Sequence, residues 1–288
     1  MKCKLVDVFA TEALSGNGLT VFYDYGSLTN ENMQSLTQEM RQFESIFVSE
    51  IISESSVRAR VFTIEEELDF AGHPILGLAA HLHEESNDGN PREWCIELNR
   101  KSVRVETEKT ENYFRACMDQ GSPVHTKSLN KSETEEILSA LNLTTDNLAR
   151  YPLEVVSTGL PYLIVPISKG IDHAKICSSK FASLLERHGA KFIYVLDVIN
   201  LEGRTWDNDG AIEDIATGSA AGPAAAYLCK YDLAPTDKPM TISQGRFMNR
   251  PSEIEILVKT TGKEITAIFV TGEVVKVADI SFIQKSWA

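Results

Sequence analysis

Two short turns hold the residue types best suited to chemistry: Ala71-Gly72-His73-Pro74 and Ala216-Thr217-Gly218-Ser219-Ala220. Each leads into a run of small and apolar residues, 74–82 and 220–228, that reads as a helix with almost no polar face. A helix N-terminus presents backbone N–H groups without intrahelical partners, together with a partial positive charge. It therefore holds a carboxylate or a developing oxyanion. Pro74 suits the first turn of such a helix. Taken singly, Gly72 and Gly218 need be no more than turn residues. Their occurrence twice in the same setting points to a receptor for a small acid.

His73 stands beside Gly72, where an imidazole can carry a proton or donate a hydrogen bond; the plainer role is a satisfied histidine at a helix start. Asp214, just before the second turn, is either an N-terminal cap or an acid at the helix entry. Ser219 takes the place of His73 in the second turn. Asp69, close to Glu65, Glu66 and Glu67, reads as surface charge. Glu44 lies where a helical pattern meets a buried strand. A carboxyl flanked by Phe43, Ile46 and Phe47 sheds water, which suits a general base that must also return its proton. Otherwise a glutamate at a helix end is surface decoration. Residues 244–252 read as a polar turn, either a plain hairpin or a second wall for a substrate.

The elements that position these residues occur twice. An offset of 146 (218 − 72) lays Gly218 on Gly72, Ser219 on His73, Ala225-Ala226 on Ala79-Ala80 and Leu228 on Leu82. Upstream, an offset of 143 (159 − 16) lays Gly159 on Gly16 at the head of a strand. The helical pattern at 30–41, with Met33, Leu36 and Met40 on one face, matches 173–187, and the strand at 45–49 matches 192–196. Four matches in one order at nearly constant offset indicate a duplicated unit.

Each unit reads strand, strand, helix, strand, strand, helix and three short strands. The last three fall near 93–98, 102–107 and 112–117, and near 239–243, 253–259 and 264–270. Ser132-Glu133-Thr134-Glu135 reads as a capping box opening a helix to about Leu141. Pro123 and the polar run 126–132 divide the chain into halves 1–125 and 126–288. The fold expected is α+β: two pseudo-symmetric halves, each a curled, mostly antiparallel sheet around a central apolar helix.

The 288 residues carry a net charge of −13, which argues against a nucleic-acid partner. No apolar stretch is long enough to span a membrane as a helix, and the N-terminal residues lack the apolar core of a signal peptide. Cys3, Cys95, Cys117, Cys177 and Cys229 are scattered without metal or disulfide spacing, which fits a reducing cytoplasm. Neither a Gly-x-Gly-x-x-Gly loop nor a Gly-Lys-Ser/Thr motif is present, so no dinucleotide or nucleoside triphosphate site is expected. His81 and His83 read as packing or capping residues.

Along nearly its whole length the chain resembles the PhzF-like isomerases of phenazine biosynthesis. The resemblance is carried by Val6-Asp7-Val8-Phe9 with Gly16-Asn17, the Glu44 stretch, Phe70-Ala71-Gly72-His73-Pro74, Asp214-Ile215-Ala216-Thr217-Gly218-Ser219-Ala220 and the turn at 244–252. It implies a fold similar to diaminopimelate epimerase, with a site in the cleft between the halves. It also implies an intramolecular proton transfer on a small carboxylate-bearing substrate, a homodimer, and neither metal nor organic cofactor. By resemblance Glu44 is the catalytic acid/base, with His73 and Asp214 as catalytic partners. Asn17, Gly72, Gly218 and Ser219 are substrate-binding. Phe43 departs from the family's usual Ser, Ile215 from Pro and Gly18 from Pro, so the substrate does not carry over. Three alternatives share the fold, one of them a cysteine-independent epimerase or racemase. A two-thiol epimerase would need cysteines at the helix entries, where Ala71 and Ala216-Thr217 stand. A non-catalytic protein would bind a small acid or a partner without turning it over.

Overall fold

The computed structural model describes residues 1–24 and 28–283. The chain forms two compact units, one made of Met1–Asp119 and the chain from Thr271 onward, the other of Gln120–Val270. The first unit therefore includes the end of the chain, while Pro123 and the polar run 126–132 mark halves 1–125 and 126–288 in the sequence.

In the first unit β1 (Lys2–Val8), β2 (Asn17–Asp24), α1 (Asn30–Met40), β3 (Glu44–Ser53), β4 (Ser56–Thr63) and the two-residue β5 (Glu67–Leu68) lead to α2 (Gly72–Ser86). Then follow β6 (Arg92–Glu97), β7 (Ser102–Lys109) and β8 (Phe114–Asp119). The second unit holds β9 (Val124–Ser128), α3 (Lys131–Ala140), β10 (Glu154–Ser157), β11 (Pro161–Ile167), α4 (Phe181–Arg187), β12 (Phe192–Asp197) and β13 (Glu202–Arg204). It continues through α5 (Gly218–Lys230), β14 (Pro239–Gln244), β15 (Ser252–Thr261) and the start of β16 (Glu264–Ser281).

The strand pairings repeat as the sequence does. From β1, successive partners are antiparallel (β1–β2), parallel (β2–β3), antiparallel (β3–β4), parallel (β4–β6) and antiparallel (β6–β7). From β10 the same order recurs through β11, β12, β13, β14 and β15. In each unit a helix follows the second strand and the apolar helix precedes the second parallel pairing. Two copies of one supersecondary plan thus account for the sequence offset.

The apolar helices are enclosed as their composition requires. In α2 every residue from Gly72 to His81 is buried; in α5 the buried run extends from Gly218 to Cys229. Strands β1, β2, β3, β6, β7 and β8 all touch α2, and β10, β11, β12 and β15 touch α5. Small residues permit this approach. A Cβ on Gly77 would lie 2.4 Å from the Leu19 Cδ2, and one on Gly222 would lie 2.0 Å from the Gln120 Oε1.

The other helices cover the opposite sheet faces. Met33 and Leu36 of α1 pack on Phe22, Phe47 and Phe62, with the Phe22 and Phe47 rings stacked at 4.5 Å. In the second unit α3 and α4 pack Ile137, Leu138, Phe181 and Leu185 against Leu163, Val165, Ile193 and Val195.

Three local expectations need correction. The capping box of α3 is built two residues earlier than expected: Asn130 accepts from the Glu133 N–H at 3.1 Å, and Glu133 accepts from the Asn130 N–H at 2.8 Å. The helix matched to 173–187 begins only at Phe181. The preceding backbone is drawn to the end of α3 instead, with Lys175 N–H donating to the Leu141 carbonyl and Cys177 N–H to that of Ala140. The last of the three short strands is the first part of β16, which runs on to Ser281 and pairs antiparallel with β1.

His81 and His83 pack, as expected. The His81 ring lies 4.2 Å from that of Tyr23, and the His83 Nδ1 is 2.8 Å from the Thr107 Oγ1. Burial, with Lys4 adding to it, pushes the His81 imidazole down to about 4, so it is neutral at physiological pH. His81, Glu84 and Glu85 bring ligand-type atoms within 4.8 Å of one another, but the Lys4 ammonium pairs with Glu84 and lies 3.5 Å from Glu85. No helix among the described residues is long and apolar enough to cross a membrane.

The far end of α5 is anchored on a carboxylate. Glu154, buried on β10, accepts from Lys230 Nζ at 2.5 Å, from the Tyr231 hydroxyl at 3.0 Å and lies 3.2 Å from His125 Nδ1. Burial raises its pKa, but hydrogen bonds from His125, Lys230 and Tyr231 outweigh that and hold the carboxyl down to about 2. A depressed acid stabilises the fold above its unfolded value, 4.5, and that contribution is lost as pH falls toward 2. Glu154→Gln is accordingly expected to flatten the loss of stability between pH 4.5 and 2, read by denaturant unfolding at stepped pH. Parallel acid profiles for the two proteins would contradict this role.

Candidate active site

Glu44 is the first residue of β3, three positions after the left-handed Arg41 (φ 57°) ends α1. Parallel pairing sets Glu44 opposite Leu19 and antiparallel pairing sets it opposite Thr63. Side chains alternate along a strand, so Glu44 shares its face with Ile46 and opposes Ser45 and Phe47, which lie on the α1 side. It is only 6% exposed. Its Oε2 lies 2.9 Å from Nδ1 of His73, the second residue of α2, and that nitrogen also lies 3.4 Å from the Asn17 Nδ2 at the start of β2.

Asn17, Glu44 and His73 thus meet at the N-terminus of α2, where no side chain caps the first turn. A buried carboxylate persists only with such a partner. The pair has two complementary proton arrangements. With Glu44 ionised, His73 Nδ1–H donates to it; with Glu44 protonated, the carboxyl donates and Nδ1 accepts. An acid/base that can exchange its proton with a neighbouring imidazole is equipped both to take and to return one.

The second turn is built differently. Trp206 and Glu213 form a β-bridge, and Asp214 N–H donates to the Thr205 carbonyl at 3.0 Å. Asp214 does not cap α5. Its Oδ2 instead accepts from the Thr217 hydroxyl at 2.5 Å, and α5 has no side-chain cap. The hydroxyls of Ser219 and Tyr162 lie 2.7 Å apart, and Gln120 Nε2 donates to the Gly218 carbonyl at 2.8 Å.

The chain before Asp214 is clamped by Arg204. Its guanidinium donates Nε–H and Nη2–H to Glu213 at 2.8 and 2.6 Å, and Nη1–H to the carbonyls of Ile171 and Ala174. It also lies 4.1 Å from the Phe247 ring centre and 4.8 Å from that of Trp206.

Asp214, Gly218 and Ser219 thus collect at the start of α5, as Asn17, Glu44, Gly72 and His73 do at the start of α2. Tyr162, Gln120 and the Arg204–Glu213 pair were not singled out by the sequence, since no spacing marks them. Tyr162 and Gln120 reach Ser219 and Gly218 at the start of α5 from positions far away in the chain, and the Arg204 clamp also takes in the carbonyls of Ile171 and Ala174. None of the five cysteines lies at either turn: Cys3 is in β1 and Cys229 near the far end of α5. Burial pushes the Cys3 thiol up to about 12. Two-thiol chemistry has no footing here.

The family model described as phenazine biosynthesis-like protein matches residues 6–279. The chain belongs to the phenazine biosynthesis-like (PhzF) family. A trans-2,3-dihydro-3-hydroxyanthranilate isomerase of Pseudomonas aeruginosa is 31% identical over 281 residues, covering 93% of this chain and 94% of that protein. Among solved structures, a predicted epimerase of Pseudomonas aeruginosa is 42% identical with a TM-score of 0.94, covering 98% of this chain and 99% of that one. A PhzF-family phenazine biosynthesis protein of Bacillus anthracis, 23% identical with a TM-score of 0.83 over 99% of both chains, shares the fold. The curated relatives of this PhzF-family chain are thus named as isomerases, and the two-copy α+β plan is common to the family's structures.

Proposed function

We propose that this PhzF-family protein moves a proton between carbons of a small carboxylate-bearing metabolite, with Glu44 as general acid/base. The observation that carries this reading is the Glu44–His73 contact of 2.9 Å, buried at an uncapped helix N-terminus. Glu44 accepts the proton as a C–H bond breaks, and the electron pair is delocalised toward the substrate carboxylate. The same proton, or one exchanged through His73, then forms a C–H bond at a different carbon. Backbone N–H groups at Gly72 and Gly218, with Ser219 and Asn17, hold the carboxylate and the electron-rich intermediate. Asp214 completes the acid/base set. Every step uses groups of this chain, so the reaction needs neither metal nor organic cofactor.

Kinship with the isomerase of Pseudomonas aeruginosa supports the reaction class. The experiment is turnover of trans-2,3-dihydro-3-hydroxyanthranilate and a panel of small cyclic carboxylates, each assayed with and without a chelator. Isomerisation of at least one compound, unchanged by the chelator, is expected. Binding of a panel member with no isomerisation of any would favour a non-catalytic binding protein.

A further inference from the structure

The mechanism above leaves Gln244, at the end of β14, without a role, although it is 1% exposed and sits against the Asp214–Thr217 turn. Its amide orientation follows from its partners. Oε1 lies 3.2 Å from the Thr217 backbone nitrogen, which only donates, and 3.2 Å from the Tyr194 hydroxyl. Nε2 lies 2.9 Å from the Asp214 carbonyl, which only accepts, and 2.9 Å from the Thr217 Oγ1. Burial, then the charges of Asp214 and Glu202, push the Tyr194 phenol far up, so it stays a donor to Oε1.

Since the Thr217 oxygen accepts the Gln244 N–H, its own hydrogen must go to its remaining near partner, Asp214 Oδ2, at 2.5 Å. Gln244 also occupies the Thr217 N–H, while the Ala220 and Ala221 N–H groups go to the Thr217 carbonyl. What the first turn of α5 has left to offer a ligand is the N–H of Gly218 and of Ser219.

We infer that Gln244 is a positioning residue: it fixes the direction of the Thr217 hydroxyl so that Asp214 is held as an acceptor on one oxygen, and it restricts the anion-binding donors of α5 to Gly218 and Ser219. This inference rests on the proposed isomerase activity. Gln244 touches no reacting atom and acts through Thr217.

The test is the isosteric Gln244→Glu. The carboxylate it introduces can only accept when ionised, so it draws the Thr217 hydrogen away from Asp214; once protonated it can donate and restores the original direction. At neutral pH kcat/KM is expected to fall about 10- to 100-fold, the range for a hydrogen bond to a charged group, and to recover on acidification. Thr217→Val should give a comparable loss without the acid recovery, and Gln244→Glu added to it should cost little more.

Unfolding midpoints of all variants are measured alongside. Wild-type rate and pH profile in a folded Gln244→Glu, while Glu44→Gln is inactive, would overturn the role of Gln244 and leave the isomerase reading standing. A fully active Glu44→Gln would remove that reading, and the inference with it. Should Gln244→Glu fail to fold, undiminished kcat/KM in Thr217→Val would equally overturn the relay.

Discussion

Glu44→Gln is expected to lower the isomerisation rate by about 10²- to 10⁴-fold, the range typical of a lost general acid/base. The amide keeps the shape of the side chain and can still hydrogen bond to His73 Nδ1, so the packing of Ile46 and Phe47 behind it is preserved. It cannot accept a proton from carbon. Substrate affinity should therefore change far less than kcat, because the groups assigned to the carboxylate, at Gly72, Gly218 and Ser219, are untouched. Thermal stability should be held or slightly raised, since a buried charge is removed together with its demand for a partner. A fall in KM-type binding with an unchanged kcat would assign Glu44 to substrate holding instead.

Arg204→Met is expected to have the largest effect on stability, lowering the unfolding free energy by about 3–5 kcal/mol. Each side chain of the Arg204–Glu213 pair is 8% exposed, so removing the guanidinium strands a carboxylate away from water. The carbonyls of Ile171 and Ala174 lose their donors at the same time. The decisive comparison is the double variant Arg204→Met/Glu213→Leu, which removes both charges and should recover most of the loss. Denaturant unfolding of the wild type and the variants measures this. A single-variant cost below about 1 kcal/mol would show that the pair does not hold the turn before Asp214.

These two residues mark the boundary of what could be read from the sequence. The helix entries were legible because a glycine before an apolar run occurs twice at an offset of 146 (218 − 72), and apolar helices have few places to go except inside a sheet. Glu44 was legible as a partly desolvated carboxyl and, by resemblance, as a base. Its contact with His73 was not, because that depends on the β2–β3 register and on which face of β3 meets α2. Asp214 read as a helix cap or an acid, and only the geometry reveals the Thr217 hydroxyl as its partner. Gln244 read as part of a turn that is a plain hairpin or a wall of the site, and only the geometry reveals its four partner atoms, on Asp214, Thr217 and Tyr194 at 2.9 to 3.2 Å.

The early start of α3 and the late start of α4 have the same origin. Asn130 caps as well as Ser132, and the backbone after Ala174 finds better partners in the end of α3 than in a helix of its own. The passage of β16 into the first unit has no local signal, since a strand of alternating residues reads alike whichever unit it joins.

Proton NMR follows proton transfer at carbon atom by atom. Trans-2,3-dihydro-3-hydroxyanthranilate and related small carboxylates are followed with the wild-type protein and with Glu44→Gln. The wild type should remove a C–H signal from one carbon of at least one compound and create a new C–H at another, at least about 100-fold faster than Glu44→Gln. A panel whose C–H positions are all untouched by the wild type, or rearranged as fast by Glu44→Gln, would contradict it.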